Sequence, residues 1–221
     1  MRKYLLATAA ALAIVSPVFA DDISMTFTET GGGTAIFPAT TGFLNTGMFS
    51  LGDFNVNSTT ASAPPVLPGP GLTDSNTINI QGLATILPHT LTIDVNTVGS
   101  LTGLQTIQTA FDSVGLTAGW SLTENVFVNG VLVDTASFTS TGGVGPNVVL
   151  ADFGAGPQSA IDAQYIITTG TILSGGIAGA ANAGIRVDSV PGPIVGAGLP
   201  GLLAMLGFGG WKFRRRKKLA A

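Results

Sequence analysis

The stretch Val126-Phe127-Val128-Asn129-Gly130-Val131-Leu132-Val133 decides the fold class of this chain. Two valine-rich runs flank an Asn-Gly pair, and both central residues of a type I′ turn need a positive φ, which Asn and Gly tolerate best. The stretch therefore predicts a tight β-hairpin. We expect its first strand to follow from Trp120 to Leu122 and its second strand to continue toward Phe138.

Other stretches on both sides of this hairpin alternate between apolar and polar residues with a period of two, as half-buried strands do. About eight to eleven such short strands with polar outer faces predict an all-β fold, an antiparallel β-sandwich. Among sandwiches, we expect a jelly-roll-like arrangement. The apolar positions that carry the alternation are Ile23, Met25, Phe27, Phe54, Val56, Ile78, Ile80, Leu91, Ile93, Val95, Ile161, Ala163, Tyr165 and Ile167.

One stretch between the predicted strands is ambiguous. Leu104, Ile107 and Phe111 recur near helical spacing, so a short helix is an alternative there. The segment from Ala63 to Gly71 carries four prolines, which forbid a central strand.

Two glycine-containing segments predict irregular structure in the second half of the body. Gly142 to Pro146 predicts a loop, because Gly and Pro are the strongest breakers of regular structure. The Gly- and Ala-rich segment from Gly175 to Gly184 predicts a flexible approach to a last strand, Ile185 to Val187.

The N-terminal residues 1–20 predict a secretory signal peptide. Arg2 and Lys3 supply the positive charge that precedes an apolar core. That core is too short to cross a bilayer as a stable span. We expect cleavage between Ala20 and Asp21 after export through the Sec translocon, which places the body, residues 21–189, outside the cytoplasm.

The C-terminal residues 190–221 have three parts. The motif Val190-Pro191-Gly192-Pro193 is followed by an apolar run from Ile194 to Trp211 and by a basic cluster, Arg214-Arg215-Arg216-Lys217-Lys218. As a helix the apolar run would be about 27 Å long, close to the hydrocarbon thickness of about 30 Å. We expect a transmembrane helix over residues 194–213, with the basic cluster on the cytoplasmic side.

This order of motif, apolar helix and Arg-rich tail resembles the PEP-CTERM sorting signal of Gram-negative bacteria. Val190, Pro191, Pro193 and residues 214–216 match it, whereas Gly192 stands where the family has Glu. The resemblance implies recognition by an exosortase-like membrane protease, processing near the motif, and passage through the inner membrane to the cell surface or the exopolysaccharide matrix. Without processing, the body would stay anchored in the inner membrane and face the periplasm. The resemblance implies nothing about the body itself.

The charge distribution excludes several classes of partner. All twelve acidic residues lie between Asp21 and Asp188, whereas Arg186 alone of the nine basic residues lies in the body, so residues 21–189 have a formal charge of −11. Such a surface repels nucleic acid, because binding phosphate needs Lys and Arg. It attracts cations. The chain has no cysteine, which excludes disulfides and thiolate chemistry.

Few side chains of the body favour catalysis, so we expect a protein that is not an enzyme. His89 is the only histidine, and no Gly-x-Ser-x-Gly elbow is present. A lone histidine after Pro88, at the start of a strand, is more often a loop residue than a catalyst, and we do not expect it to build a metal site. A secreted hydrolase with paired carboxylates remains an alternative. Glu29 and Glu124 are the only glutamates of the body.

The segment Asp53-Phe54-Asn55-Val56-Asn57 imitates the start of a calcium loop. The match ends where Ser58 replaces the required Gly and Pro64 replaces the bidentate Glu. The alternation of the segment indicates a strand instead. Calcium elsewhere in the acidic body remains an alternative without assigned ligands, and no other cofactor is expected.

Two function classes follow from these patterns. The leading hypothesis is an exported structural or adhesive protein of the cell surface or exopolysaccharide matrix. The alternative is an extracellular glycan-binding module, with or without calcium, in which Trp120 would stack on a sugar ring. A core position for Trp120 is the competing interpretation of that residue.

Overall fold

The computed structural model describes residues 21–63, 73–82, 88–99, 102–156, 159–170 and 179–189. The expected signal peptide, the Pro-rich segment after Ala63 and the expected sorting signal, residues 190–221, lie outside these ranges. Within the ranges the chain forms thirteen β-strands, more than the sequence pattern indicated. No helix there is long and apolar enough to cross a membrane.

The strands are numbered in chain order. They are β1 (Asp22–Glu29), β2 (Thr34–Thr41), β3 (Phe43–Asn45), β4 (Phe49–Leu51), β5 (Phe54–Ser62), β6 (Thr73–Gly82), β7 (Thr90–Gly99), β8 (Leu104–Leu116), β9 (Ser121–Val128), β10 (Val131–Phe138), β11 (Gly142–Asp152), β12 (Ser159–Thr168) and β13 (Gly179–Ser189).

The strands form two sheets that pack together as a β-sandwich, which confirms the predicted fold class. Sheet A has six strands in the order β10-β9-β12-β7-β1-β2. Sheet B has seven, in the order β11-β8-β13-β6-β5-β3, with β4 also paired to β5. Every pair of neighbouring strands is antiparallel.

The strands from β6 to β13 pair in a nested way, first with last. The pairs are β6 with β13, β7 with β12, β8 with β11, and β9 with β10, and successive pairs alternate between sheets B and A. The innermost pair is the predicted hairpin. Asn129 and Gly130 have φ values of 49° and 78°, as a type I′ turn requires. This turn is therefore the tip of one long hairpin folded across both sheets.

The inward faces of both sheets share one apolar core, and the alternation predicted from the sequence is confirmed there. Tyr165 is the largest of the fully buried side chains. Its hydroxyl donates to the carbonyl of Asn76 at 3.1 Å and accepts from the amide of Ile185 at 2.9 Å. Because Tyr165 lies in sheet A and its two partners in sheet B, these hydrogen bonds connect the sheets across the core.

The alternative of a short helix around Leu104, Ile107 and Phe111 is wrong, because these residues lie in strand β8. The inward positions of β8 include two buried polar residues, Thr109 and Ser113, between or beside the apolar ones. Because these two inward positions are polar, the sequence of β8 does not show the alternation of apolar and polar residues that marks a half-buried strand. Leu104, which completed the helical spacing, is 67% exposed.

The loop predicted over Gly142 to Pro146 is also wrong, because this segment belongs to β11. β11 is an edge strand of sheet B. Its register against β8 shifts between Val144 and Asn147, so Pro146 falls in a bulge. A proline is tolerated there because an edge strand or a bulge does not need its missing N–H.

The last strand is longer than the predicted Ile185 to Val187, since β13 begins at Gly179. It lies between β6 and β8, in the interior of sheet B. Ala181 and Ala183 are buried there. The predicted flexible approach is therefore, from Gly179 onward, a paired central strand whose inward side chains are small.

Candidate metal centre

Trp120 lies in the core, with 5% of its surface exposed. Its indole covers Gly82 and Gly179, where added Cβ atoms would overlap the ring. A buried ring cannot stack on a sugar. The structure therefore supports the core interpretation of Trp120 rather than the proposed glycan contact.

The other sequence-predicted sites are mostly outside the described ranges. These are Ala20, the motif at residues 190–193 and the basic cluster at residues 214–218. Asp21, on the far side of the expected cleavage point, is described and buried. Burial, with a smaller contribution from the neighbouring carboxylate of Asp22, raises the pKa of Asp21 to about 6.

The segment that imitates a calcium loop forms a strand, as its alternation indicated. Asn55 accepts a hydrogen bond from Ser50 at 2.6 Å, and Asn57 donates to Asn79 at 2.8 Å. These amides therefore serve cross-strand contacts. Asp53 precedes the strand and faces a different set of residues.

Asp53 meets Glu29 and His89 in a cluster that could hold a metal ion. The Nδ1 atom of His89 lies 3.1 Å from Oδ2 of Asp53 and 3.3 Å from Oε1 of Glu29. The amide of Asp53 donates to the same Oε1 at 3.1 Å. One candidate ligand atom from each residue lies within 4.8 Å of the other two.

Three connections of the fold bring these residues together. Glu29 ends β1, Asp53 lies in the turn between β4 and β5, and His89 directly precedes β7. The backbone of His89 is fixed by Thr169: its amide donates to Oγ1 at 2.9 Å, and its carbonyl accepts from the Thr169 amide at 2.9 Å. The histidine is therefore held at a defined position.

Two glycines make room for the carboxylate of Glu29. A Cβ added to either Gly32 or Gly52 would overlap its Oε2 atom. Gly52 also has a φ of +53°, a conformation that glycine adopts readily. The backbone at Gly32 and Gly52 thus lies so close to the carboxylate that a side chain at either position would have to displace it.

Apart from His89, the two carboxylates of the cluster have no cationic partner among the described residues. The Glu29 side chain is 2% exposed, and its buried Oε2 has no hydrogen-bond partner among the described residues. His89 and Asp53 are 28% and 33% exposed, so the cluster opens to solvent on their side. Arg186 is the single Lys or Arg of the described ranges, and it pairs with Asp188 at 2.6 Å. No described Lys or Arg neutralises the two carboxylates.

Sequence reasoning missed this cluster, because it set aside His89 as a lone histidine and noted Glu29 only as a glutamate. The three residues have no recognisable spacing in the chain. Pairing of β1 with β7 places Glu29 opposite Leu91, which brings His89 beside the end of β1. The missing signals were this strand pair and the packing of sheet B against sheet A, which brings Asp53 to the other two residues.

Glu124 is a second buried carboxyl group, separate from the cluster. It lies on β9 opposite Tyr165 of β12, is fully buried, and neither carboxyl oxygen has a hydrogen-bond partner among the described residues. Burial, with a smaller contribution from the charge of Asp112, raises its pKa to about 9. The group is therefore a neutral acid at pH 7.

No family model matches the chain, and no curated protein matches it. The structure of infectious bursal disease virus Gx strain is similar over 80% of this chain and 59% of its own, at 11% identity and a TM-score of 0.30. The crystal structure of infectious bursal disease virus VP2 subviral particle is similar over 78% and 58%, at 12% identity and a TM-score of 0.31. The chain thus spans less than two thirds of either protein, and likeness at these TM-scores supports no functional inference.

Proposed function

We propose that the chain is an exported, non-enzymatic protein of the cell surface or exopolysaccharide matrix, with a structural or adhesive role. The two terminal segments support export and sorting, since residues 1–20 have the pattern of a signal peptide and residues 190–221 resemble a PEP-CTERM signal. The body between them is an all-β sandwich.

The observation that carries the proposal is a polar ladder on the outer face of sheet A. Thr135 donates to Asn125 at 2.7 Å, Asn125 donates to Gln164 at 3.0 Å, and Gln164 donates to Asp94 at 2.8 Å. The ladder crosses four neighbouring strands, β10, β9, β12 and β7. Its hydroxyl, amide and carboxylate groups hydrogen-bond to one another and give the sheet a polar outer surface, which suits a hydrated polysaccharide environment.

We also infer that the sandwich is a jelly roll. The nested pairing supports this inference, because it gives the orders β6-β13-β8-β11 and β7-β12-β9-β10 within two packed sheets. A hairpin of eight strands folded over itself in this manner is the architecture of a jelly roll. Strands β1 to β5 then extend both sheets beyond it.

Processing of the full chain in a Gram-negative host that has an exosortase tests the proposal. Mass spectrometry of the exported protein should find an N-terminus at Asp21 and a C-terminus near Val190. Replacement of all five residues 214–218 by Ser is the matched control and should abolish sorting. Intact protein, residues 1–221, soluble in the cytoplasm would contradict the proposal.

The polar ladder also favours the second candidate, a glycan-binding module, because amides and carboxylates hydrogen-bond to sugar hydroxyls. A glycan array with and without chelator tests it. Reproducible binding that is weakened by Gln164→Ala and unchanged by Val114→Ala, on the other sheet, would support this candidate. Absence of binding to every sugar would count against it.

A further inference from the structure

We propose that Glu29, Asp53 and His89 bind a divalent transition metal, with Zn²⁺ as the best match, and that the bound ion joins the two sheets at one end of the sandwich.

The geometry of the three side chains fits a small tetrahedral ion. Ligand atoms about 2.0–2.1 Å from a tetrahedral centre lie about 3.3 Å from one another. His89 Nδ1 lies 3.1 Å from the Asp53 oxygen and 3.3 Å from the Glu29 oxygen. These two distances match the tetrahedral spacing, and the third, between the two carboxylate oxygens, lies within 4.8 Å.

The chemistry of the ligands selects the class of ion. Imidazole nitrogen and carboxylate oxygen are both common zinc ligands. Calcium and magnesium prefer sites made of oxygen atoms, so the nitrogen of His89 argues against either ion. The partial exposure of His89 and Asp53 leaves room for water as the fourth ligand.

An independent observation points to a missing cation. The Glu29 carboxylate is buried, and its Oε2 atom has no partner among the described residues. An ionised carboxylate in such a place is costly unless it is paired or coordinates a metal. Arg186, the one Lys or Arg in the described ranges, already pairs with Asp188. A divalent ion bound through Oε1 of Glu29 and Oδ2 of Asp53 would neutralise the charge of both carboxylates, although Oε2 faces Gly32 and Gly52 rather than the ion.

The position of the site gives the ion a structural role. Glu29 and His89 adjoin strands β1 and β7 of sheet A, whereas Asp53 adjoins β5 of sheet B. A bound ion would therefore join segments of both sheets that are distant in the chain. The chain has no cysteine and cannot make this connection with a disulfide. Metal binding to the folded state would stabilise it by mass action.

Metal titration of the full chain tests the proposal. The protein is purified in mild detergent through a tag without histidine, stripped of metal, and titrated with ZnCl₂ by calorimetry. We expect saturable one-to-one binding and an unfolding temperature that rises with the free zinc concentration. Glu29→Gln, Asp53→Asn and His89→Asn should each weaken binding by at least about tenfold, a loss that even the outer-shell partners of metal ligands produce.

The variants separate ligation from hydrogen bonding. In His89→Asn, the new side-chain amide can still donate to a carboxylate, but its nitrogen has no lone pair for a metal. Asp53→Asn changes a partly exposed turn residue and is expected to fold normally. Asp94→Asn, an equal change of charge on the outer face of β7, is the matched control and should bind zinc as the unchanged protein does.

Two results would overturn the proposal. One is the absence of saturable zinc binding to the folded protein. The other is one-to-one binding that none of the three substitutions weakens, which would place the ion elsewhere. An excess of Ca²⁺ that fails to displace zinc, together with a Co²⁺ absorption spectrum that His89→Asn abolishes, would support the assignment.

Discussion

Gly179 of β13 lies directly opposite Gly82 of β6, and the indole of Trp120 occupies the space that both missing side chains leave. An added Cβ at Gly82 would lie 2.5 Å from Cη2 of the ring, and one at Gly179 would overlap the ring more deeply. This glycine pair therefore allows a tryptophan from a neighbouring turn to close one end of the core.

Gly179→Ala is expected to destabilise the protein by about 1–3 kcal/mol, the usual cost of overpacking a core. Denaturant unfolding of the full chain in detergent measures the change. Gly143→Ala on β11 is the control, because an added Cβ there meets its nearest atom at an ordinary 3.6 Å. In the Trp120→Ala background the same Gly179→Ala change should cost less, since residues in contact are not additive. Equal costs in both backgrounds would show that the ring is not the obstacle.

Glu124 should make stability decrease as the pH rises. Its pKa is raised to about 9 in the folded protein from 4.5 for an ordinary Glu, so between these values the folded state holds a proton that the unfolded state has lost. Stability is then highest below about pH 4.5 and falls toward pH 9 by at most about 1.4 kcal/mol per pH unit for one group. Glu124→Gln should remove this dependence.

The pH range of the measurement isolates Glu124. Asp21, with a pKa raised to about 6 from 3.8, contributes a decrease of the same sign at lower pH. Burial also raises the pKa of Asp112, so the difference in slope between the unchanged protein and Glu124→Gln from about pH 7 to pH 9 is the quantity that reports on Glu124. Asp152→Asn, which removes an exposed carboxylate, should leave the slope unchanged. A slope that is unchanged in Glu124→Gln would contradict the assignment.

The hairpin turn should be sensitive to its backbone conformation. Gly130→Ala is expected to cost about 1–2 kcal/mol, because its φ of 78° is unfavourable for a residue with a Cβ. Asn129→Gly keeps the conformation but loses the hydrogen bond that Oδ1 accepts from the Ala160 amide at 2.9 Å, a cost of about 0.5–1.5 kcal/mol. Thermal unfolding of both variants measures these effects, and no loss in Gly130→Ala would disprove the type I′ turn.

Strand β11 should promote self-association. It is an edge of sheet B, and Val148 and Leu150 on it are 57% and 66% exposed. Exposed apolar edge strands pair with other chains, and a lysine on such a strand opposes this. Val148→Lys should reduce association in analytical ultracentrifugation, with stability within about 0.5 kcal/mol of the unchanged protein. Val114 is similarly exposed but lies on the interior strand β8, so Val114→Lys should reduce association less. Equal reductions by the two substitutions would show that association depends on exposed apolar surface in general and not on the edge strand.

Strands whose inward residues are all apolar could be predicted from the sequence. Leu91, Ile93 and Val95 of β7 are buried and alternate with more exposed polar residues. The alternation seen in the sequence therefore matches the alternation of buried and exposed side chains in the strand. β8 could not be predicted in this way, because Thr109 is polar and inward-facing. Its hydroxyl donates to Asp134 of β10, a partner in the other sheet that no local pattern reveals.

The candidate metal centre could not be predicted for a related reason. Glu29, Asp53 and His89 each lie at the boundary of a strand, where local sequence patterns are least informative. Their proximity depends on the pairing of β1 with β7 and on the packing of one sheet against the other. Neither relationship is encoded in the spacing of the three residues.

The interior position of β13 has a consequence for the order in which the fold forms during synthesis. In the strand register, Arg186 of β13 lies opposite Ser75 of β6 on one side and opposite Ala110 of β8 on the other. The final strand therefore joins segments that are synthesised much earlier. Sheet B cannot complete its hydrogen-bonded ladders until residues 179–189 are available. A chain that crosses a membrane with its N-terminus first would therefore acquire its finished architecture only when nearly all of the body had emerged.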